Sequence, residues 1–477
     1  MAYPRTATVL AAALLTALSV STPAGATGQA PRILHLGLVT EQDVPALPGS
    51  EPDTVVEPDV AVSPLDPDVA VAVAHDGRYP DAGAVAISYA WTHDGGRTWH
   101  HAPLPGLTRT TGGVWDRVSD PVPAFGPDGT AYVSTLLLSF GCASAVGVSR
   151  STDGGRTFGA PVLAHRSDDC AYADDKNWLV VDNNRHSPHR GRLYQFWTPF
   201  FSDASGTETG SAQVVRWSDD RGMHWSATVN VSDTDGFTQG SQPMIQPDGT
   251  VIDEYVDFGD EAGEEGPERP GSDARAGEEE EDGLLLVARV SRDGGRTWSR
   301  EYRIADDVSE GPEGVRCCVP SATVDPVTGR LYATWASTTP EKVALSTSTD
   351  GRHWSRPIQV NRDAREGLDH VNVDVSAYGG RVFVSYGTRD TTVAAGRFLQ
   401  QQLSTSVDGG RHFGREIAVG PLSDLRYAAV AGGIFLGDYI GSAATRDRLY
   451  LVWCRSSRPA DPAATFHQVV LGATLRP

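Results

Sequence analysis

The chain has 477 residues, and its 61 Asp and Glu outweigh 40 Lys and Arg to give a formal net charge of -21. That balance excludes nucleic acid as a partner, because a phosphate backbone would be repelled. Five cysteines are an odd count, so full pairing within one chain is excluded as well.

Met1 to Ala26 reads as a targeting segment: Arg5 gives a positive start, Ala7 to Val20 is apolar, and Ala24-Gly25-Ala26 is a small-residue cleavage site. The apolar run is too short to span a bilayer comfortably, and no later stretch qualifies as a membrane span. The mature protein is therefore expected to be exported, soluble and secreted, with residues 27–477 as one domain. Disulfides are expected in that compartment. Cys142 and Cys170 make the easiest pair; Cys317 and Cys318 either bridge each other or one of them reaches Cys454.

Behind the leader, Arg32 to Leu38 alternates Ile33, His35 and Gly37 against Leu34, Leu36 and Leu38, which predicts a strand with one leucine face. A repeating unit follows: a polar residue, often beside proline, then a short apolar strand, a turn, and a second strand that often ends in an aromatic. Glu57-Pro58-Asp59 opens the first unit and Asp120-Pro121 the second. Asp175-Lys176-Asn177-Trp178 leads to Leu193-Tyr194-Gln195-Phe196-Trp197, and Ser241-Gln242-Pro243 opens the fourth. Val319-Pro320-Ser321 leads to Leu331-Tyr332-Ala333-Thr334-Trp335, and Asp369-His370-Val371 to Val382-Phe383. Gly437-Asp438-Tyr439 leads to the seventh pair, Leu449-Tyr450-Leu451-Val452-Trp453. Between the fourth unit and its last strands, 260–282 carries eleven acids against Arg269 and Arg275 and almost no large apolar residue. It predicts a solvated, mobile insertion.

Six of the seven units end in a box of the form S/T-x-D-x-G-x-T/H-W/F. The copies begin at Thr92, Ser151, Ser218, Ser291, Ser348 and Ser406. Short Ser/Thr and Asp side chains can close a turn by accepting backbone N–H groups, glycine supplies positive φ, and the aromatic pins the turn to a neighbouring layer. The later glutamate of a calcium loop is missing, as is the G-x-x-x-x-G-K-S/T spacing of a phosphate cradle, so the box is structural.

These boxes resemble the Asp boxes of bacterial neuraminidases, and the chain resembles the sialidase-like superfamily. The resemblance implies an all-β propeller of four-stranded blades and a carbohydrate-active function. Seven strand units favour seven blades, with six as the alternative, and the N-terminal strand would close the ring.

In such a ring the residues ahead of each inner strand converge on one mouth. Here they are Glu57, Asp59, Asp120, Asp175, Lys176, Asp369, His370 and Asp438, with Trp115, Arg117, Glu313, Arg316, Arg389, Arg426 and Tyr439 nearby. Carboxylates for proton transfer, arginines for an anionic group and aromatics for stacking suit a sugar site. By resemblance, Asp120 would be the acid/base, Arg316 and Arg426 would complete an arginine cluster, and Tyr439 or Tyr427 would be a nucleophile beside Glu313. The family's F/Y-R-I-P motif has only Pro31-Arg32-Ile33-Leu34 as a counterpart. Asp59, Trp115, Arg117, Asp175, Lys176, Asp369, His370, Arg389 and Asp438 are the expected substrate-binding set. The expected activity is glycoside hydrolysis of exo-α-sialidase type on an extracellular glycan by a monomer without cofactor or metal; the alternative is a noncatalytic propeller that binds glycan or protein.

Overall fold

The computed structural model describes residues 31–477 except 235, 260–283, 318 and 340. The expected targeting segment and acidic insertion lie outside the described residues. The rest is all-β, with helix limited to three single 3-10 turns. Among the described residues no helix is long and apolar enough to cross a membrane.

The strands repeat in one order. Asp59–Val62 pairs with Ala70–Arg78, then Ala84–Thr92, then His100–Pro103. Further units open with Arg117–Phe125, Tyr172–Val181, Phe237–Ile245, Ser321–Val324 and Leu368–Tyr378. The last begins at Gly441–Ala444 and continues through Leu449–Ser456 to Gln468–Arg476; its fourth place is taken by Arg32–Thr40 from the other end of the chain. That pairing runs from Arg32 opposite Arg476 to Thr40 opposite Val470. Each opening strand touches the next, and the last touches the first. Together they line an axial channel of about 360 Å³.

The second strand of a unit is apolar on both faces because a sheet packs on each side of it. Ala70 to Ala74 are all fully buried. In Leu449–Ser456, Tyr450 and Trp453 are three residues apart, so they point to opposite faces. Tyr450 meets Trp99 of the first unit edge-on at 6.3 Å, and Trp453 fills the space beside Gly420 of the sixth. Tyr194 and Trp197 repeat this arrangement, with Tyr194 against the turn at Gly295 and Trp197 stacked 5.0 Å from His165. The leucine face expected for the N-terminal strand is realised only in part. Register shifts after Ile33 and Leu38 leave Leu36 and Leu38 exposed, and Val39 is the residue that enters the core.

The boxes are tight turns at the ends of the third strands. Ser291 donates to Asp293 Oδ1 at 2.9 Å, and Asp293 accepts the Arg296 and Thr297 N–H groups and the Thr297 hydroxyl at 3.0, 2.9 and 2.6 Å. In the equivalent turn at Asp94 partial burial is outweighed by hydrogen bonds from Thr98 and Thr92, which hold the carboxyl down at about 2. The box glycines carry positive φ, and a Cβ on Gly155 would lie 2.2 Å from Val71 of the preceding unit. Phe158 and Trp298 likewise pack edge-on against Tyr89 and Phe196 of preceding units. Register places these turns at the end of the sheets away from Asp59, Asp120 and Asp175, since Val62 pairs with Ala70 and Ala70 with Thr92.

Cys142 and Cys170 form a disulfide, and Cys317 is disulfide-bonded. Cys454 is free and buried, its thiol donating to the Val55 carbonyl at 2.9 Å, so it is not the partner of either neighbouring cysteine. Cys318 lies outside the described residues.

Two adjacent carboxyls, Asp253 and Glu254, are fully buried in the fourth unit. Asp253 accepts from Ser241 at 3.0 Å, while neither Glu254 oxygen has a hydrogen-bond partner. Burial first, then the nearby Asp253, pushes the Glu254 carboxyl well above its usual range. A raised acid keeps its proton in the fold where the unfolded chain would have lost it. This contribution to stability is present below the unfolded value of about 4.3 and is lost as pH rises through the folded value. We expect the melting temperature to fall between pH 5 and pH 8. Glu254→Met should remove part of that slope and stabilise the protein at pH 8 by on the order of 1–3 kcal/mol, the cost of an unpaired buried polar group. Scanning calorimetry at both pH values checks this, and a variant that keeps the wild-type slope refutes it.

Candidate functional site

The mouth is built by a backbone irregularity that recurs from unit to unit. Opening strands lose register after Ser119, Asp175, Gln239 and Val371, and pairing resumes at Val122, Trp178, Gln242 and Asp374. A bulge of this kind bends the strand and re-aims a side chain. The residue two places before resumption has positive φ in each case: Asp120 (47°), Lys176 (40°), Gly240 (91°) and Asn372 (50°). Glu57 (56°), two places before the first pair of its own strand, matches them. Left-handed backbone is costly for any residue but glycine, by about 1–3 kcal/mol. Four non-glycine polar residues held this way at one end of the strands mark a site whose side-chain directions are imposed.

Three of them converge. Glu57, Asp120 and Lys176 line a cavity of about 440 Å³ together with Asp175, Arg316, Asp438 and His75. The peptide N–H of Asp120 donates to His75 Nε2 at 3.0 Å, which assigns the ring proton to Nδ1. Burial and then Arg78 depress this imidazole to about 3, so it is neutral. Glu57 Oε2 lies 3.1 Å from the same nitrogen, and Glu57 Oε1 accepts the Asp438 N–H at 3.3 Å. Burial, then Asp120 and Asp438, raise the Glu57 carboxyl well above its usual range. Burial also raises Asp120, and burial with Asp120 raises Asp175 to about 7. Glu57, His75 and Asp120 bring one donor atom each within 4.8 Å of one another. The Nε2 lone pair is engaged by the Asp120 amide, while Glu57 Oε2 and His75 Nδ1 are buried without a hydrogen-bond partner.

Lys176 sits over two ring faces, with Nζ 4.3 Å from Trp178 and 3.9 Å from Tyr439. Its ammonium has no hydrogen-bond acceptor and is buried among the carboxyls. Its charge offsets their mutual repulsion and lowers the raised values of Glu57, Asp120 and Asp175. Arg316 reaches Asp438 with two hydrogen bonds of 3.3 and 3.1 Å, and Gln239 donates to Asp175 at 2.8 Å.

The other expected site residues are placed elsewhere. Tyr439 lies beneath the mouth and donates to the Pro121 carbonyl at 3.4 Å; burial and then Glu57 raise its phenol well above the usual range, the reverse of an activated nucleophile. Asp59 faces the axial channel below, raised to about 8 by burial and then by Asp374. Glu313 is exposed, and only its carbonyl is engaged, by Arg389, which pairs with Asp369. Arg426 is bonded to Asp424, outside the cavity lining, and Tyr427 lies beneath its guanidinium. Arg117 reaches Asp81 at 2.8 Å, Trp115 lies under the Arg166 guanidinium, and His370 packs on Tyr386 beside Asp363. Among the described residues two arginines line the cavity, Arg316 and Arg78, and Arg78 is committed to Glu51 at 2.6 Å.

His75 and Gln239 were not anticipated. His75 lies on a second strand whose end is polar through His75, Asp76 and Arg78, and nothing in that run signals that its ring reaches the opening of the next unit.

No protein-family model matches the sequence, and no curated protein matches it. Among solved structures the chain is similar to the α-L-arabinofuranosidase Arb93A from Fusarium graminearum, at 12% identity over 93% of this chain and 98% of that one, with a TM-score of 0.49. It is similar to the Hadza microbial sialidase Hz136, at 13% identity over 94% of each chain and a TM-score of 0.48. A third is the Penicillium chrysogenum α-L-arabinanase, at 14% identity over 83% and 99% of the two chains and a TM-score of 0.47.

Proposed function

We propose that this protein is an exported glycoside hydrolase whose catalytic acid is Glu57, in a seven-bladed propeller closed by its N-terminal strand. The observation that carries the reading is the convergence of Glu57, Asp120, Asp175 and Asp438 on one cavity of about 440 Å³, where burial and then Asp120 raise the Glu57 carboxyl. Glycosidic cleavage requires a division of roles: one carboxyl that gives up a proton and one carboxylate that does not carry it. The Glu57 carboxyl donates its proton to the glycosidic oxygen as the bond from that oxygen to the anomeric carbon breaks. Positive charge gathers on the sugar ring, where Asp120 and Asp438 stabilise it. Asp438, oriented by its two hydrogen bonds from Arg316, takes the proton of the attacking water, whose oxygen bonds the anomeric carbon.

Seven opening strands in mutual contact and the pairing of Arg32–Thr40 with Gln468–Arg476 support the ring. The Cys142–Cys170 disulfide supports export. Exo-α-sialidase activity is the narrower reading; it rests on the box resemblance, while the two arginines of the cavity are each tied to a carboxylate. This favours a neutral glycan over a sialoside. A noncatalytic binding role is the second reading, favoured by the tethered Tyr439 hydroxyl.

Purified protein should be assayed on aryl glycosides of neutral sugars, including α-L-arabinofuranosides, beside a sialoside. We expect turnover of at least one neutral glycoside. Saturable glycan binding without product from any member would overturn the hydrolase reading in favour of binding.

A further inference from the structure

The cavity has two unlike walls. One carries Glu57, Asp120, Lys176 and Asp438; the other is hydrocarbon, formed by Val256, Phe258, Leu284, Val308, Val319 and Pro320. The second wall is built into a sheet. Val251–Gly259, Leu284–Ser291 and Tyr302–Val308 are adjacent strands of the fourth unit. Val256 to Gly259 lie level with Phe237 to Gln239, beyond the bulge at Gly240, so these strands stand above the mouth. Leu284 pairs with Val308 and sits one place beyond the Asp257–Leu285 pair, beside Phe258. A cross-strand row of Phe258, Leu284 and Val308 therefore shares one face of the sheet, and it lines the same cavity as Glu57, Asp120, Lys176 and Asp438.

Phe258 and Leu284 are half-buried, packed from below by a cluster that includes Val256, Val308 and Trp335. Their remaining surface opens to the cavity. Sugar hydroxyls placed there would find no partners on these side chains, and an unpaired buried hydroxyl costs about 1–3 kcal/mol. An apolar group in the same place gains about 25 cal/mol for each Å² removed from water. The polar groups next to the row, Ser309 and Glu310, follow Val308 directly in the cavity lining and mark the rim of the wall.

We propose that this wall is an aglycone subsite: the protein acts on glycosides whose leaving group is a small aryl or alkyl alcohol, with the sugar against the charged wall and the apolar group against Phe258, Leu284 and Val308. This names the substrate class of the site and rests on the hydrolase reading for the cleavage step, but not for binding. The oxygen protonated by Glu57 then belongs to the departing alcohol.

The test has two arms. In the first, 4-methylumbelliferone alone is titrated into wild type, Phe258→Ala and Leu284→Asn, with binding followed by its fluorescence and folding by melting temperature. Saturable binding to wild type is expected, weakened about tenfold or more in each folded variant, in line with loss of one buried apolar side chain. In the second, kcat/KM is measured for an aryl and a methyl glycoside of one sugar. The aryl-to-methyl ratio should fall about tenfold in both variants; dividing wild type by variant cancels the intrinsic leaving-group difference. Absence of saturable binding to wild type, or an unchanged dissociation constant in both folded variants, overturns the subsite. Variant-sensitive binding with no hydrolysis of any glycoside leaves the subsite standing and removes the hydrolase reading instead.

Discussion

Glu57→Gln is expected to lower kcat on any cleaved glycoside by about 10² to 10⁴-fold, the usual contribution of a positioned general acid. KM should move little, since the amide keeps the acceptor that meets the Asp438 N–H. The pH profile carries a second expectation. Glu57 must be protonated to act, so activity falls as pH rises through its raised value. After burial, Asp120 is the neighbouring charge that raises it most. Asp120→Asn removes that charge, so the alkaline limb should shift to lower pH while activity at acid pH is better preserved. Steady-state rates from pH 4 to pH 9 for the wild type and both variants decide the matter. A Glu57→Gln enzyme within fivefold of wild type, or an alkaline limb that ignores Asp120, would remove Glu57 from the role of acid.

The second large effect concerns the ring. Removing residues 27–40 should leave the truncated protein mostly insoluble, or melting far below the intact chain. Arg32–Thr40 is the outer strand of the last unit, and its loss strips the ladder from Gln468–Arg476. Ladder hydrogen bonds are worth about 1 kcal/mol each, and Val39 is withdrawn from the core in the same step. The exposed edge also templates association between molecules. Expression, light scattering and melting of the truncated and intact proteins make the comparison. A truncated protein that keeps the intact protein's oligomeric state and melts like it would refute closure by this strand.

The repeat was legible because six of the seven units spell their own turns: the box carries its Ser or Thr, Asp, glycine and aromatic within eight residues, and in three units Leu-Tyr-x-x-Trp marks a strand buried on both sides. The opening residues were legible too, so Asp120, Asp175, Lys176, Arg316 and Asp438 could be named before their convergence was seen. Local sequence did not reveal which charges would already be spent. Arg426 bonds Asp424 two residues back across a 3-10 turn, and Arg389 bonds Asp369 because the two lie directly opposite on adjacent strands, so neither pair shows until the turn and the register are set. Nor could alternation reveal the bulges, since a register slip is a property of two strands. The leucine face of Arg32–Thr40 failed for the same reason: two register shifts rotate Leu36 and Leu38 outward and carry Val39 in.

The recurring left-handed position bears on how such a protein changes over generations. Glu57, Asp120, Lys176, Gly240 and Asn372 occupy one backbone site in five units, and the fold accepts an acid, a base, an amide or no side chain there. Each is a socket whose geometry is set by the sheet behind it, and its occupant can be exchanged by a single codon. The cost of a new occupant is confined to one residue's backbone preference, because the box turns that pack unit against unit lie at the far end of the sheets. Chemistry at the mouth can therefore diverge one unit at a time while the scaffold is inherited intact. In laboratory evolution the four of these positions that line the cavity, Glu57, Asp120, Lys176 and Gly240, form a compact library for rewriting it.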